Sequence, residues 1–416
     1  MRLFSAVVLG FCVAVAAKAS PDSDQAEPAQ AQDAELPSVG DSYDQVIARM
    51  GKPSSVMEVG TIRILVYPTA KVKVRDGQVA LVTPIAARVA PTPTPAAVTA
   101  EGFPAMVLVS DDVEKQIWRF SNAVAARFEA EKFAELDELA DKVVANKAKF
   151  ADGTWRISRF DAHLYLKASE PDEKWQALEA KIGRWETARP DSIEARVIHV
   201  NFLTDYAWKA RGTDWAGKVD PNAWAVFSNR LAQAYIVYQG AQGMAKKSPV
   251  LWEAASRIAL GQQWEVEDML KHYEEARAAE PLFPGYEGNV AYFLLPRWYG
   301  KPGDWEQFAL QESLRPDGRG AEGYATTCVG MIEFYPDHFF KNTTIEWPRL
   351  KEGFNILVQK YPKAKWWLNQ YARFAVMASD REAARAAFEA MNGQADANLW
   401  SKDEIHDFQK WTYWHP

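Results

Sequence analysis

Tyr361 to Met391 reads YPKAKWWLNQYARFAVMASDREAARAAFEAM, two short amphipathic segments joined by a break at Ser379-Asp380. Leu368, Tyr371, Ala372 and Ala375 share one face of the first segment, and Ala384, Phe388 and Met391 share one face of the second. That alternation of large and small residues suits two helices passing closely and then stacking on neighbours. Ser379-Asp380-Arg381-Glu382 has the form of a capping box, which starts the second helix there. The stretch predicts a helical hairpin, and weaker versions of it recur upstream.

From about residue 110 the apolar spacing is helical. Val113, Ile117, Phe120, Val124 and Phe128 form one stripe, continued by Phe133, Leu136, Ala140 and Val143. Trp175, Leu178, Ile182 and Trp185 form another, as do Trp224, Phe227, Leu231 and Tyr238. Leu251, Ala255 and Ile258 precede Val266, Met269, Tyr273 and Ala276. No strand-like alternation competes in this region. Prolines 190, 249, 281 and 362 open such units, but only the Pro249 to Pro281 interval approaches a period of about 34 residues. The expected fold class is mainly α: an irregular TPR-like helical-hairpin solenoid over 109–416, preceded by a small α+β module.

Upstream, the chain reads as four pieces. Arg2, the apolar run Leu3 to Ala17 and the small residues of Ala17-Lys18-Ala19 form a secretory signal cleaved after Ala19, or alternatively an uncleaved N-terminal anchor. Phe11 before Cys12 argues against a lipobox. Residues 20–36 are a polar tether with too few apolar residues to order themselves. Residues 37–84 form the small module: a helix capped by Asp41 or Ser42 and stopped at Gly51-Lys52-Pro53, then strands over Ser55–Val59, Thr61–Tyr67, Lys71–Val74 and Val79–Thr83. Asp76-Gly77 is a type I′ hairpin signal. Residues 85–108, with Pro91-Thr92-Pro93-Thr94-Pro95, are an extended linker.

Two resemblances follow from these residues. GDSYDQVIARMGKPSSV, with a meander closing on Arg75-Asp76-Gly77-Gln78-Val79, resembles the small BamE/SmpA-type domain of outer-membrane assembly lipoproteins. Leu295-Pro296-Arg297-Trp298-Tyr299-Gly300-Lys301-Pro302-Gly303-Asp304-Trp305, then Phe308, resembles an uncharacterised bacterial family of TPR-like domains that has no established activity. The resemblances imply an envelope protein and a helical scaffold, and carry over no catalytic residue.

Composition narrows the function classes. At 416 residues and a net charge of −7, with no basic stripe, the chain offers nothing to hold a phosphate backbone, so nucleic acid is not an expected partner. After signal removal Cys328 is the only cysteine, so no internal disulfide forms; in its apolar setting it reads as core. The six histidines show no metal-ligand spacing, and no phosphate-cradling glycine loop or catalytic motif is present, so no metal, cofactor or catalytic residue is expected. Asp403 to Asp407 reads as a solvated helix start.

The 17 tryptophans are the unusual feature. The crowded turn Pro296–Trp305 supplies the candidate binding residues Arg297, Trp298, Tyr299, Asp304 and Trp305, a mixture typical of binding hot spots. Its plainer reading is a wedge between hairpins with Arg297 paired to Asp304. Of Trp366 and Trp367, one should be core and the other partly exposed, and Trp411 to Trp414 should plug the end of the array. The expected function is an exported periplasmic or secreted scaffold that binds a protein or peptide partner without catalysis. The alternative is a glycan- or peptidoglycan-binding, or glycan-cleaving, helical protein.

Overall fold

The computed structural model describes residues 37–53, 55–59, 62–67, 70–84, 98–99, 101–212, 216–335 and 338–414. The expected export leader and tether, and most of the expected Pro/Thr/Ala linker, lie outside the described residues. The chain divides into two compact units, one within Ala14–Pro95 and one carrying Ala96–Pro416. It is mainly α, with a small N-terminal strand module. No helix among the described residues is long and apolar enough to cross a membrane.

In the small unit α1 (Tyr43–Met50) precedes β1 (Ser55–Val59), β2 (Ile62–Val66), β3 (Ala70–Arg75) and β4 (Gln78–Pro84), an antiparallel meander in sequence order. Ser42 caps α1 through a reciprocal capping box with Gln45. Asp76 and Gly77 both have positive φ, the geometry a two-residue hairpin needs to follow the twist of its strands. Val46, Leu65, Tyr67, Val72, Val74 and Val79 form the core beneath the helix.

The large unit is an array of helices: α2 (Asp112–Glu129), α3 (Phe133–Ala145), α4 (Asp172–Ala188), α5 (Ile193–Arg211), α6 (Pro221–Gln242), α7 (Pro249–Gln262) and α8 (Val266–Ala279). It continues with α9 (Gly285–Phe293), α10 (Asp304–Leu314), α11 (Gly320–Met331), α12 (Phe339–Asn342), α13 (Trp347–Lys360), α14 (Lys365–Met377), α15 (Arg381–Ala390) and α16 (Lys402–Tyr413). Alternate helices form an inner row, with α5 against α7, α7 against α9 and α9 against α11, while α6, α8 and α10 pack outside. Packing is close enough to require glycine between α11 and α13: a Cβ on Gly353 would lie 2.1 Å from the Ala321 carbonyl oxygen. Asp137 ties α3 to the α4–α5 turn, its buried carboxylate accepting from Trp185 Nε1 (3.1 Å), Arg189 Nε (2.7 Å) and Ser192 Oγ (2.5 Å). Cys328 lies in the core, where burial holds its thiol pKa well above the ordinary value.

Three sequence expectations are corrected here. The helical region does contain a sheet: β5 (Val107–Val109) pairs in parallel with β6 (Gln394–Asp396). Val107, Leu108 and Phe103, which is 1% exposed, therefore belong to the folded unit rather than to the linker. Three-residue strands carry too little alternation to be read before their partner is known. The start of α15 also shifts by one residue, because Asp380 is the cap and accepts from Ala383 N–H, while Ser379 takes a left-handed φ of 60°.

The β5–β6 pairing closes the array. Trp366 N–H donates to Asp111 (3.2 Å), Trp367 Nε1 to the Asp152 carbonyl (2.8 Å), and Gln409 Nε2 to the Pro104 carbonyl (2.7 Å). Trp414 Nε1 donates to the Glu101 carbonyl at 3.0 Å. The last helix thus fastens to the segment before the first one, so the array is a ring rather than an open solenoid.

Candidate functional site

The inner row of helices surrounds a cavity of about 270 Å³. Its wall draws on α2, the 152–161 segment, α5, α7, α11, α14 and Asp396 at the seam. On α5 the sequence puts Glu194, Asn201 and Asp205 along one side. On α7 Glu253 and Arg257 stand one turn apart, so both side chains leave the helix in the same direction. These polar groups interrupt helices whose other inward positions are apolar, such as Val197, Ile198 and Ala254.

Desolvation dominates the electrostatics of this wall. Glu194 is 2% exposed, and burial pushes its carboxyl up to about 8, with Asp161 reinforcing the rise and the Ser248 hydroxyl opposing it. Glu194 lies in the first turn of α5, where the helix dipole favours the charged form, so burial outweighs the dipole here. Burial likewise pushes Glu253 up to about 7 against the opposing Arg159 and Arg257. Asp152 is raised by burial despite two hydrogen bonds from Thr154. Asp161 accepts from Tyr165 Oη (2.7 Å) and Asn201 Nδ2 (2.8 Å).

Two of the three arginines on the wall are committed. Arg257 pairs with Asp205, and Arg319 pairs with Glu287 at 2.8 Å. Arg159 differs: it is 8% exposed, and its Nε has no hydrogen-bond partner. The aromatic part of the wall is Phe160, Tyr165, Phe283, Tyr361, Trp366 and Trp367. Gly153 has φ 89°, and a Cβ there would lie 2.4 Å from the Tyr361 ring, so glycine lets that ring lie against the loop. Trp366 and Trp367 are both half-buried and both reach the cavity, correcting the expectation that one would be core. The cavity curves around the start of α14, so side chains pointing about 100° apart still meet it.

None of the five sequence candidates lines this cavity. Trp305 is fully buried, its Nε1 donating to Tyr335 Oη at 2.9 Å. Tyr299 Oη donates to the Leu260 carbonyl (2.6 Å), and Asp304 accepts from Lys301 N–H (2.7 Å). Arg297 lies over the rings of Trp298 and Phe334, and Trp298 packs edge-on to Trp208. The loop is tightly folded, because a Cβ on Gly300 would sit 2.0 Å from the Leu294 carbonyl oxygen. Its side chains therefore join hairpins together. The signal for the cavity was present but faint: ionisable residues one or two turns apart on helices otherwise apolar all round.

Among the described residues no group of three or more His, Cys, Asp or Glu is arranged to hold a metal ion. Fold and site together define a helical ring around a partly open cavity whose largely apolar and aromatic wall carries a few buried polar groups. No protein-family model matches the chain, and no curated protein matches it.

Proposed function

We propose that this chain is an exported envelope protein that binds a small polar ligand, a sugar or peptidoglycan fragment, inside its helical ring. The observation that carries the reading is the cavity on the inner side of the ring, which combines aromatic rings with buried hydrogen-bonding groups. Ligand pockets commonly have this mixture, apolar faces for burial and a few fixed polar groups for orientation. At neutral pH Glu194 keeps its proton and Glu253, raised to about 7, keeps it in about half of the molecules, so both can donate to ligand hydroxyls. Trp366, Trp367 and Tyr361 supply flat surfaces against which a sugar ring can lie. The closed ring argues against a peptide lying along an open groove, the form of partner that the helical repeat suggests from sequence.

The test is calorimetric titration of the purified chain with the soluble peptidoglycan disaccharide. Saturable binding that is weakened by Trp366→Ala supports the reading, and a flat titration refutes it. A second reading, glycan cleavage, is favoured by one observation: two buried carboxyl groups hold protons at a pH where ordinary carboxyls are ionised. A general acid has this property. Incubation with isolated cell-wall glycan, followed by mass analysis of soluble products, decides it. Release by the native chain and none by Glu253→Gln would establish cleavage.

A further inference from the structure

We propose that the cavity ligand carries a carboxylate and that Arg159 binds it. This rests on the reading that a sugar-sized ligand occupies the ring, and it assigns the ligand's charge and its anchor. Arg159 follows Trp155 in the short helical turn between α3 and α4, and its backbone carbonyl accepts from Ser121 Oγ at 2.9 Å. The backbone is thereby fixed while the guanidinium borders the cavity.

A buried guanidinium is costly unless hydrogen-bonded to an opposite charge. The other two arginines of the wall meet that requirement through Asp205 and Glu287. Arg159 does not: its Nε is an orphan donor, and no ion pair joins it to a carboxylate among the described residues. Asp152 and Glu253 are near enough to feel its charge, yet neither hydrogen-bonds to it. A planar carboxylate fills the vacant fork of donors with two parallel bonds. A dianionic phosphate fits less well, because its second negative charge would find no uncommitted cation and would face the Asp152 and Asp161 carboxyls that line the same cavity. The remaining donors, Glu194 and Glu253, suit the neutral hydroxyls of the same molecule.

The experiment compares N-acetylmuramic acid, which bears a carboxylate, with neutral N-acetylglucosamine by calorimetry on the full chain. N-acetylglucosamine 6-phosphate is the third probe. The native protein should bind N-acetylmuramic acid on the order of tenfold more tightly than N-acetylglucosamine, the equivalent of one charge-assisted contact of ~1.4 kcal/mol. Arg159→Gln should abolish that preference, bringing the affinities for the acid and the neutral sugar together. Arg159→Lys, which keeps the charge and loses the fork, should fall between. Without ligand, Arg159→Gln should be at least as stable as the native chain, since it removes a buried guanidinium that no carboxylate hydrogen-bonds. A destabilised ligand-free variant would instead identify Arg159 as a structural residue and overturn the assignment. Equal affinity for the acid and the neutral sugar overturns it too, while leaving sugar binding in the ring intact. Preference for the phosphate sugar also overturns it, and failure of all three probes removes both this assignment and the function proposed above.

Discussion

Replacing Glu194 by Gln should stabilise the helical unit at neutral pH, and the gain should grow with pH. In the folded chain burial raises this carboxyl from 4.5 to about 8. Below pH 4.5 the group is protonated whether the chain is folded or unfolded, so it makes no pH-dependent contribution there. Between pH 4.5 and pH 8 the unfolded chain loses the proton while the folded chain keeps it. Stability therefore falls with rising pH by about 1.4 kcal/mol per pH unit. At pH 7 the accumulated cost is roughly 3 kcal/mol, and above pH 8 it levels off. Gln has nearly the same shape and no proton to lose, so it removes the slope. All 17 tryptophans lie in the helical unit, so urea unfolding followed by their fluorescence reports that unit alone. Native and Glu194→Gln curves should nearly coincide at pH 4 and separate by roughly 3 kcal/mol at pH 7. A difference independent of pH, or a variant less stable at pH 7, would refute the claim that an uncompensated carboxyl is buried there.

Other consequences can be checked with the same assay. Gly353→Ala should cost about 1–3 kcal/mol, because its Cβ collides with backbone rather than with a side chain that can rotate away. Asn369→Ala should cost about 2–4 kcal/mol: this fully buried amide accepts from Asp396 N–H and Trp400 Nε1, so truncation strands two donors at the ring seam. Trp305→Ala should cost about 3–5 kcal/mol and leave any surviving ligand affinity intact, whereas Trp366→Ala should cost less stability and weaken binding. The reverse pattern would restore the Pro296–Trp305 turn as the binding surface.

Much of the architecture was legible because outer helices and turns announce themselves locally. The Phe133–Val143 stripe and the Asp76-Gly77 hairpin are patterns within a few residues, and each appears as read. Helix α5 left a weaker trace, since Ile193 to Ala207 is buried on nearly every side and has no solvent-exposed face. Ring closure could not be read, because it depends on two tripeptides nearly three hundred residues apart. The site was obscured for the same reason: Arg159, Glu194, Glu253 and Trp366 meet only once the ring has formed. The Pro296–Trp305 turn attracted notice through composition, yet aromatic crowding serves a tight turn as readily as a ligand.

Hydrogen-exchange mass spectrometry, with and without the soluble peptidoglycan disaccharide, tests ligand binding within the ring most directly. Protection should appear on the 152–161 segment and on the peptides covering Glu194 to Asn201 and Glu253 to Arg257, with the Pro296–Trp305 turn unchanged. Protection confined to that turn, or none around the ring interior at saturating ligand, would contradict the account.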